Sequence, residues 1–174
     1  MSMKSTILLA FITLAAHSSN AQHLFKSPRY KYSFTIPPGW RVKDEIVMPD
    51  TDAKIVDDRG NSLIITINPL PSEFKNTSVI KLISMSSDQD LLDMWASAYG
   101  KSYILRRGTT ILSGREFYFV HMSCPFKDDL RIIHKMYMYN WKGNSLSIDC
   151  ASISSMEDEA SVYFDVMIRT LKLE

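Results

Sequence analysis

Three side chains have the types and spacing to form a chemical site: His121, His134 and Asp149. Each lies on one of three successive strand-like segments, which run over 115–123, 131–141 and 145–153. Two imidazoles and a carboxylate that converge could bind zinc, which accepts nitrogen and carboxylate ligands. They could equally act as a pH-responsive site, because histidine titrates near neutrality. Either function requires the strands to place all three side chains on one face.

The turns between these segments determine which residues lie opposite one another. A turn about Lys127-Asp128 would place His121 directly opposite His134. A turn about Lys142-Gly143 would place Asp149 diagonally from His134 on the same face. A shift of one residue in the first hairpin would move His121 to the opposite face. Since histidines on a sheet are more often hydrogen-bonded than metal-bound, we predict no metal and no other cofactor, and keep the three residues as the alternative.

The two cysteines, Cys124 and Cys150, are predicted to be free thiols. In these registers Cys150 faces Lys135, while Cys124 pairs near Arg131, two strands away. At about 4.8 Å per strand and 3.3 Å per residue, their separation exceeds the Cα limit of about 7 Å for a disulfide. Cys150 should share the core side of the sheet with Ile148, where buried thiols are usually inert.

The motifs of common catalytic classes are missing from the sequence. It has no G-x-S-x-G elbow, no H-E-x-x-H pair and no phosphate-binding glycine loop. Its 20 basic and 19 acidic residues give a net charge of +1, without the basic stripe that nucleic acid would require. We therefore predict a protein that has no catalytic residues and does not bind nucleic acid.

The elements that would position these side chains begin after residue 21, because residues 1–21 are predicted to be a secretory signal peptide. Lys4 supplies the positive charge, an apolar run extends from Ile7 to Ala16, and Ser19 and Ala21 suit the cleavage site. No later segment approaches the roughly 20 apolar residues of a transmembrane helix. The sequence thus predicts export to the periplasm or the outside of a bacterial cell, without a transmembrane segment.

Alternating apolar and polar residues predict strands over much of the remaining chain. The segment 29–36 shows the period of two that is typical of a strand with one buried face. Turn-forming residues such as Gly60 and Ser113-Gly114 separate the further predicted strands, which run over 40–43, 53–57, 62–68 and 103–112. Together with the three segments above, they predict an antiparallel meander.

Two segments change to helical spacing. One covers 87–100, with Ser87 or the next residue as N-cap and Gly100 as C-cap. The other closes the chain, and Ser154 and Glu157 suggest a capping box at its start. Because strands dominate and helices occur in the middle and at the end, residues 22–174 are predicted to form a single α+β domain with an antiparallel sheet flanked by helices.

The segment Tyr32-Ser33-Phe34-Thr35-Ile36-Pro37-Pro38-Gly39-Trp40 resembles the opening motif of the PsbP-like superfamily. The fold of this superfamily is shared with a Ran-binding nuclear-import factor and with bacterial secretion-effector chaperones. The resemblance continues through the hairpin from Asp57 to Ile67, the segment from Gly114 to Phe119, and the closing helix. It implies an α/β/α sandwich and a function in binding other macromolecules, with no shared catalytic residues.

These observations predict an exported, non-enzymatic binding or accessory protein that acts through contacts with another protein. A sheet face bearing Phe117, Phe119, Met136 and Met138 would provide a hydrophobic docking surface if helices left it uncovered. One alternative is the metal-binding or pH-responsive site at His121, His134 and Asp149. Another is a chaperone or immunity-type partner of a secreted effector.

Overall fold

Two antiparallel sheets organise the computed structural model, which describes residues 21–44, 50–74 and 77–174. The predicted signal peptide lies outside the described residues, apart from Ala21. The elements in chain order are β1 (His23–Lys26), β2 (Tyr32–Ile36), β3 (Arg41–Val42), β4 (Thr51–Val56), β5 (Ser62–Pro69), α1 (Val79–Ser84), α2 (Asp88–Tyr99), β6 (Tyr103–Leu112), β7 (Arg115–Pro125), β8 (Arg131–Trp141), β9 (Asn144–Ile153), α3 (Glu157–Arg169) and β10 (Lys172–Leu173). Short 3₁₀ turns occupy Ser72–Phe74 and Ser154–Met156.

The larger sheet has seven strands in the order β3-β4-β5-β9-β8-β7-β6, and the smaller has three in the order β1-β2-β10. Neighbouring strands in both sheets are antiparallel. Helices lie on both sides of the larger sheet, so the predicted α+β fold with an antiparallel sheet flanked by helices is confirmed. No helix among the residues placed by the structure is long and apolar enough to cross a membrane.

One face of the larger sheet packs against α3 and the smaller sheet. The strands bury alternate residues there, as the period of two predicts, and α3 contributes the apolar side of its own surface. The largest side chains of this core are fully buried: Phe34, Ile36, Ile55, Leu63, Ile65, Phe117, Leu146, Ile148, Phe164 and Met167. At about 1.5–3 kcal/mol for each buried side chain of this kind, this core supplies much of the driving force for folding.

Helices α1 and α2 cover β6, β7 and β8 on the other face. Helix α2 begins as predicted, because the Ser87 and Asp90 side chains form a reciprocal capping box, and it ends at Gly100, which has a φ of 63°. Leu91 is its buried anchor against a second core, which the sheet supplies with Tyr118, Val120, Met122, Cys124, Met136 and Met138. The predicted helix at 87–100 is confirmed.

The start of the last helix differs from the prediction. Residues Ser154–Met156 form a 3₁₀ turn, and α3 begins at Glu157 with Met156 as its N-cap and no side-chain cap. The predicted capping box between Ser154 and Glu157 is therefore wrong, because the tighter turn moves Ser154 out of the capping position. Glu157 instead forms an ion pair with Lys135 at 3.0 Å.

Three hairpins of the larger sheet set the registers near the predicted site. Ser113-Gly114 and Lys142-Gly143 are two-residue turns with positive φ at both positions, as tight hairpins require. The β7–β8 loop is longer, running from Phe126 to Leu130, and its Asp128 and Asp129 both have positive φ. This loop determines whether the two histidines share a face.

Candidate functional site

The structure does not bring His121 and His134 together. Lys135 lies opposite His121, and Met122 lies opposite His134, so the two histidines point to opposite faces of the sheet. The predicted pairing is wrong by one residue, because the five-residue loop is centred on Asp128 and not between Lys127 and Asp128. Across the described ranges, no group of three or more histidine, cysteine and acidic side chains is placed to hold a metal ion.

The same shift of one residue separates the proposed docking surface into two faces. Phe117 is fully buried on the face that packs against α3, together with the half-buried Phe119. Met136 and Met138 lie opposite Val120 and Tyr118 under α1 and α2, where both are buried. The predicted patch of these four side chains is therefore wrong.

The predicted placement of Asp149 beside His134 is confirmed. His134 lies opposite Ala151 in the β8–β9 ladder, and its Nδ1 is 3.0 Å from both carboxylate oxygens of Asp149. A proton on Nδ1 allows His134 to donate a hydrogen bond to this carboxylate. The two side chains are 12% and 17% exposed, so the pair is largely shielded from water but still reaches the surface.

Tyr99, the last residue of α2, contacts both members of this pair. Its hydroxyl donates to Asp149 at 3.4 Å, and its ring meets the His134 ring edge to face with centroids 4.7 Å apart. Burial, and then the charge of Asp149, raise the pKa of Tyr99 above its usual range, so the hydroxyl remains a donor. No pattern in the sequence indicated this contact between helix and sheet.

A groove of about 470 Å³ opens beside His134 and Asp149, on the face that carries α1 and α2. Its floor crosses β5, β9 and β8, where Ile64 lies opposite Asp149 and His134 lies opposite Ala151. Most of the lining surface is apolar. We call this feature the His134 groove and define it by its lining residues: Arg59, Gly60, Ser62, Ile64, Phe126, Ile132, His134, Asp149, Ala151, Ser152 and Ile153.

His121 lies in a different environment on the other face. Its ring contacts Phe119 and Tyr137, with centroids 5.1 and 6.0 Å away, and its Nε2 is buried without a hydrogen-bond partner among the described residues. Burial lowers the pKa of His121 to about 4, and the charges of Arg106 and Lys135 add to the effect. His121 is therefore neutral in the folded protein near neutral pH.

We expect His121 to make the protein acid-sensitive. In the unfolded chain its pKa is the ordinary 6.5, so below that pH the unfolded state binds a proton that the folded state excludes until about pH 4. The free energy of unfolding should fall over this interval by about 1–2 kcal/mol more in the wild type than in His121→Phe, after allowance for partial exposure. Urea titrations of the wild type and His121→Phe from pH 7 to 4 would measure this difference. His23→Phe, on the exposed strand β1, is the control. Equal acid sensitivity in wild type and His121→Phe would contradict the prediction.

Cys124 and Cys150 are free, buried thiols. Cys150 faces Lys135 as predicted and shares the core with Ile148, whereas Cys124 lies opposite Ile132. Burial raises the pKa of both thiols, which keeps them in the poorly nucleophilic protonated form.

Comparison with known proteins identifies the fold. No protein-family model and no curated protein matches the sequence. Among solved structures, cyanobacterial PsbP from Synechocystis sp. PCC 6803 has a TM-score of 0.64 and 15% identity, over 89% of this chain and 94% of that one. The Ran-binding protein Mog1p of Saccharomyces cerevisiae has a TM-score of 0.57 and 10% identity, over 89% of this chain and 96% of that one.

A third similar structure is LpqN, which is involved in cell envelope biogenesis of Mycobacterium tuberculosis. It has a TM-score of 0.52 and 9% identity, over 90% of this chain and 86% of that one. At these identities the likeness concerns the fold, and all three structures share most of their length with this chain. The protein therefore has the PsbP-like fold, which the Ran-binding protein shares.

Proposed function

We propose that this protein is an exported, non-enzymatic binding protein and that another protein docks in the His134 groove. The observation that carries this proposal is an apolar groove across three strands, beside the helices that cover β6, β7 and β8 on the same face. Residues 1–21 support export as a signal peptide, which would leave residues 22–174 as a single mature domain. The fold supports the binding role, because one protein that has it is a Ran-binding protein and another acts in cell envelope biogenesis.

The groove suits a partner segment that combines an apolar side chain with a hydrogen-bond donor. Ile64, Ile132 and Ala151 offer an apolar floor that is only partly exposed in the free protein. Asp149 has contacts with His134 and Tyr99, and a carboxylate can accept about four hydrogen bonds. An additional donor from a partner would therefore find an acceptor at the bottom of the groove.

Filling the groove should weaken partner binding at least tenfold. Ala151→Arg places a long cationic side chain on the floor, directly opposite His134. Val162→Arg is the matched control, because Val162 is 64% exposed on α3, on the other side of the sheet. Protein expressed from the full coding sequence would be used as bait for envelope and culture-medium fractions, and its intact mass would show whether it begins at Gln22.

A partner captured by the wild type and by Val162→Arg should bind Ala151→Arg at least tenfold more weakly, a loss of about 1.4 kcal/mol. Titration of the identified partner against each variant gives this ratio, and circular dichroism confirms that both variants are folded. Equal binding by Ala151→Arg would exclude the groove as the docking site. Recovery of unprocessed protein from the cytosol would exclude the exported role.

A further inference from the structure

The larger sheet ends in a long strand with an open edge. Strand β6, Tyr103–Leu112, pairs with β7 along one side and is the last strand in the sheet order. Over the ranges that the structure describes, no backbone hydrogen bond occupies its other side. The opposite edge of the sheet is β3, which has only two residues. A ten-residue open edge is a template for pairing with another strand.

Exposed apolar side chains are concentrated along this edge. Tyr103, Leu105 and Ile111 are exposed on β6 itself, and Ile111 is 67% exposed. Met85, which is 78% exposed, directly precedes Ser86, whose carbonyl oxygen accepts a hydrogen bond from Arg107 Nη1 at 2.8 Å. An open edge with apolar side chains beside it is a surface that water solvates poorly.

The charges on β6 are engaged within the chain itself. Arg107 pairs with Asp88 at 2.8 Å, and the Arg106 guanidinium lies 5.0 Å from the centre of the Phe119 ring. A bulge interrupts the ladder between Ile104 and Arg106, and pairing is regular from there to Leu112. The edge therefore offers seven regular residues, 106–112, whose midpoint is Thr109.

We propose that β6 pairs antiparallel with β6 of a second copy of this chain, with the two-fold axis at Thr109. Residues that lie opposite in an antiparallel pair point to the same face, so a symmetric pairing about Thr109 preserves both faces of the combined sheet. Thr109 then faces its own copy, and Thr–Thr pairs are favourable across strands. Arg106 faces the partner's Leu112 and Arg107 faces the partner's Ile111, so that no arginine meets an arginine.

The same register brings the exposed Ile111 of each copy next to Arg107 of the other. The Arg107 guanidinium donates to the Ser86 carbonyl, and the exposed Met85 directly precedes Ser86 in the chain. Pairing thus brings the partner's Ile111 towards the chain segment that carries Met85, twice in the dimer. An unrelated extended peptide could use the backbone edge, but it would not supply this apolar match at both ends. The self-complementary side chains therefore favour a second copy as the occupant.

The register predicts the behaviour of three substitutions. Thr109→Lys brings two lysines face to face and should weaken the dimer at least tenfold, whereas Thr109→Ser should leave it intact. Thr109→Cys should crosslink two copies on mild oxidation. Ile111→Cys, on the same strand and face, should not, because its two copies would lie about four residues or 13 Å apart along the strands.

The experiment measures mass by light scattering and sedimentation over a range of concentrations, on protein expressed from the full coding sequence. We expect a dimer that Thr109→Lys dissociates, that Thr109→Cys crosslinks and that Ala151→Arg leaves unchanged, since the His134 groove shares no residue with β6. A wild type that stays monomeric at about 100 μM would overturn the proposal, as would a dimer that Thr109→Lys leaves intact or that crosslinks through Ile111→Cys instead.

Discussion

Replacing Asp52 with alanine is expected to lower the free energy of unfolding by about 3 kcal/mol. The Asp52 side chain is fully buried and accepts three side-chain hydrogen bonds: Ser27 Oγ and Tyr32 Oη donate at 2.6 Å, and Arg29 Nε donates at 2.7 Å. Alanine would leave the buried Tyr32 hydroxyl without an acceptor, which costs about 1–3 kcal/mol alone. Arg29 is half-exposed, so water would replace part of the interaction that its guanidinium loses.

Urea denaturation at pH 7 would measure this loss, with Asp58→Ala as the matched control. Asp58 also pairs with an arginine, Arg41, but its side chain is 83% exposed, and exposed ion pairs contribute about 0–1 kcal/mol. The two aspartates thus differ chiefly in burial. If Asp52→Ala lost no more stability than Asp58→Ala, the buried hydrogen bonds to Asp52 would not stabilise the fold as their geometry indicates.

The burial of Asp52 could not be predicted from the period of two. The strand was predicted to start at residue 53, after a charged residue, but β4 begins at Thr51. A bulge between Thr51 and Ala53 turns three consecutive residues, Thr51, Asp52 and Ala53, into the interior. A bulge breaks the alternation on which strand prediction depends. The carboxylate tolerates burial because Ser27, Arg29 and Tyr32 donate hydrogen bonds to it.

Turn chemistry explains which parts of the site could be predicted. The Lys142-Gly143 turn has two residues and one common geometry, so the sequence was enough to place Asp149 beside His134. The β7–β8 loop contains Asp128 and Asp129, and both adopt the left-handed conformation that aspartate tolerates. Four- and five-residue loops were equally compatible with this sequence, and the difference moved His121 to the other face.

Contacts between distant elements could not be predicted. Strand β2 was found from its alternation, but its pairing with β1 and β10 in a separate small sheet joins the two ends of the described chain. Tyr99 reaches Asp149 only because α2 packs across the sheet. Such contacts depend on how layers pack, which a local pattern does not encode.

The opening motif contributes the largest single side chain at the contact between the sheets and the last helix. Trp40 is buried, and its ring meets Phe164 edge to face with centroids 5.4 Å apart and Tyr163 at 6.0 Å. The preceding Gly39 has a φ of 79°, a conformation that allows the chain to turn sharply after two prolines and aim Trp40 at α3. The motif therefore attaches the start of the chain to its final helix.

Replacing Trp40 with alanine should lower the free energy of unfolding by about 3–5 kcal/mol, because it leaves a cavity against Phe164 that α3 can fill only by moving. Trp40→Phe keeps an aromatic edge for Phe164 and should lose about 1–2 kcal/mol. Urea denaturation of both variants measures the difference. Partner binding in the His134 groove should persist in Trp40→Phe at low temperature, because the groove lies on the other face of the larger sheet. If both variants lost the same free energy of unfolding, the indole would not be packed against α3. The motif would then be important for the sharp turn before Trp40 and not for the core.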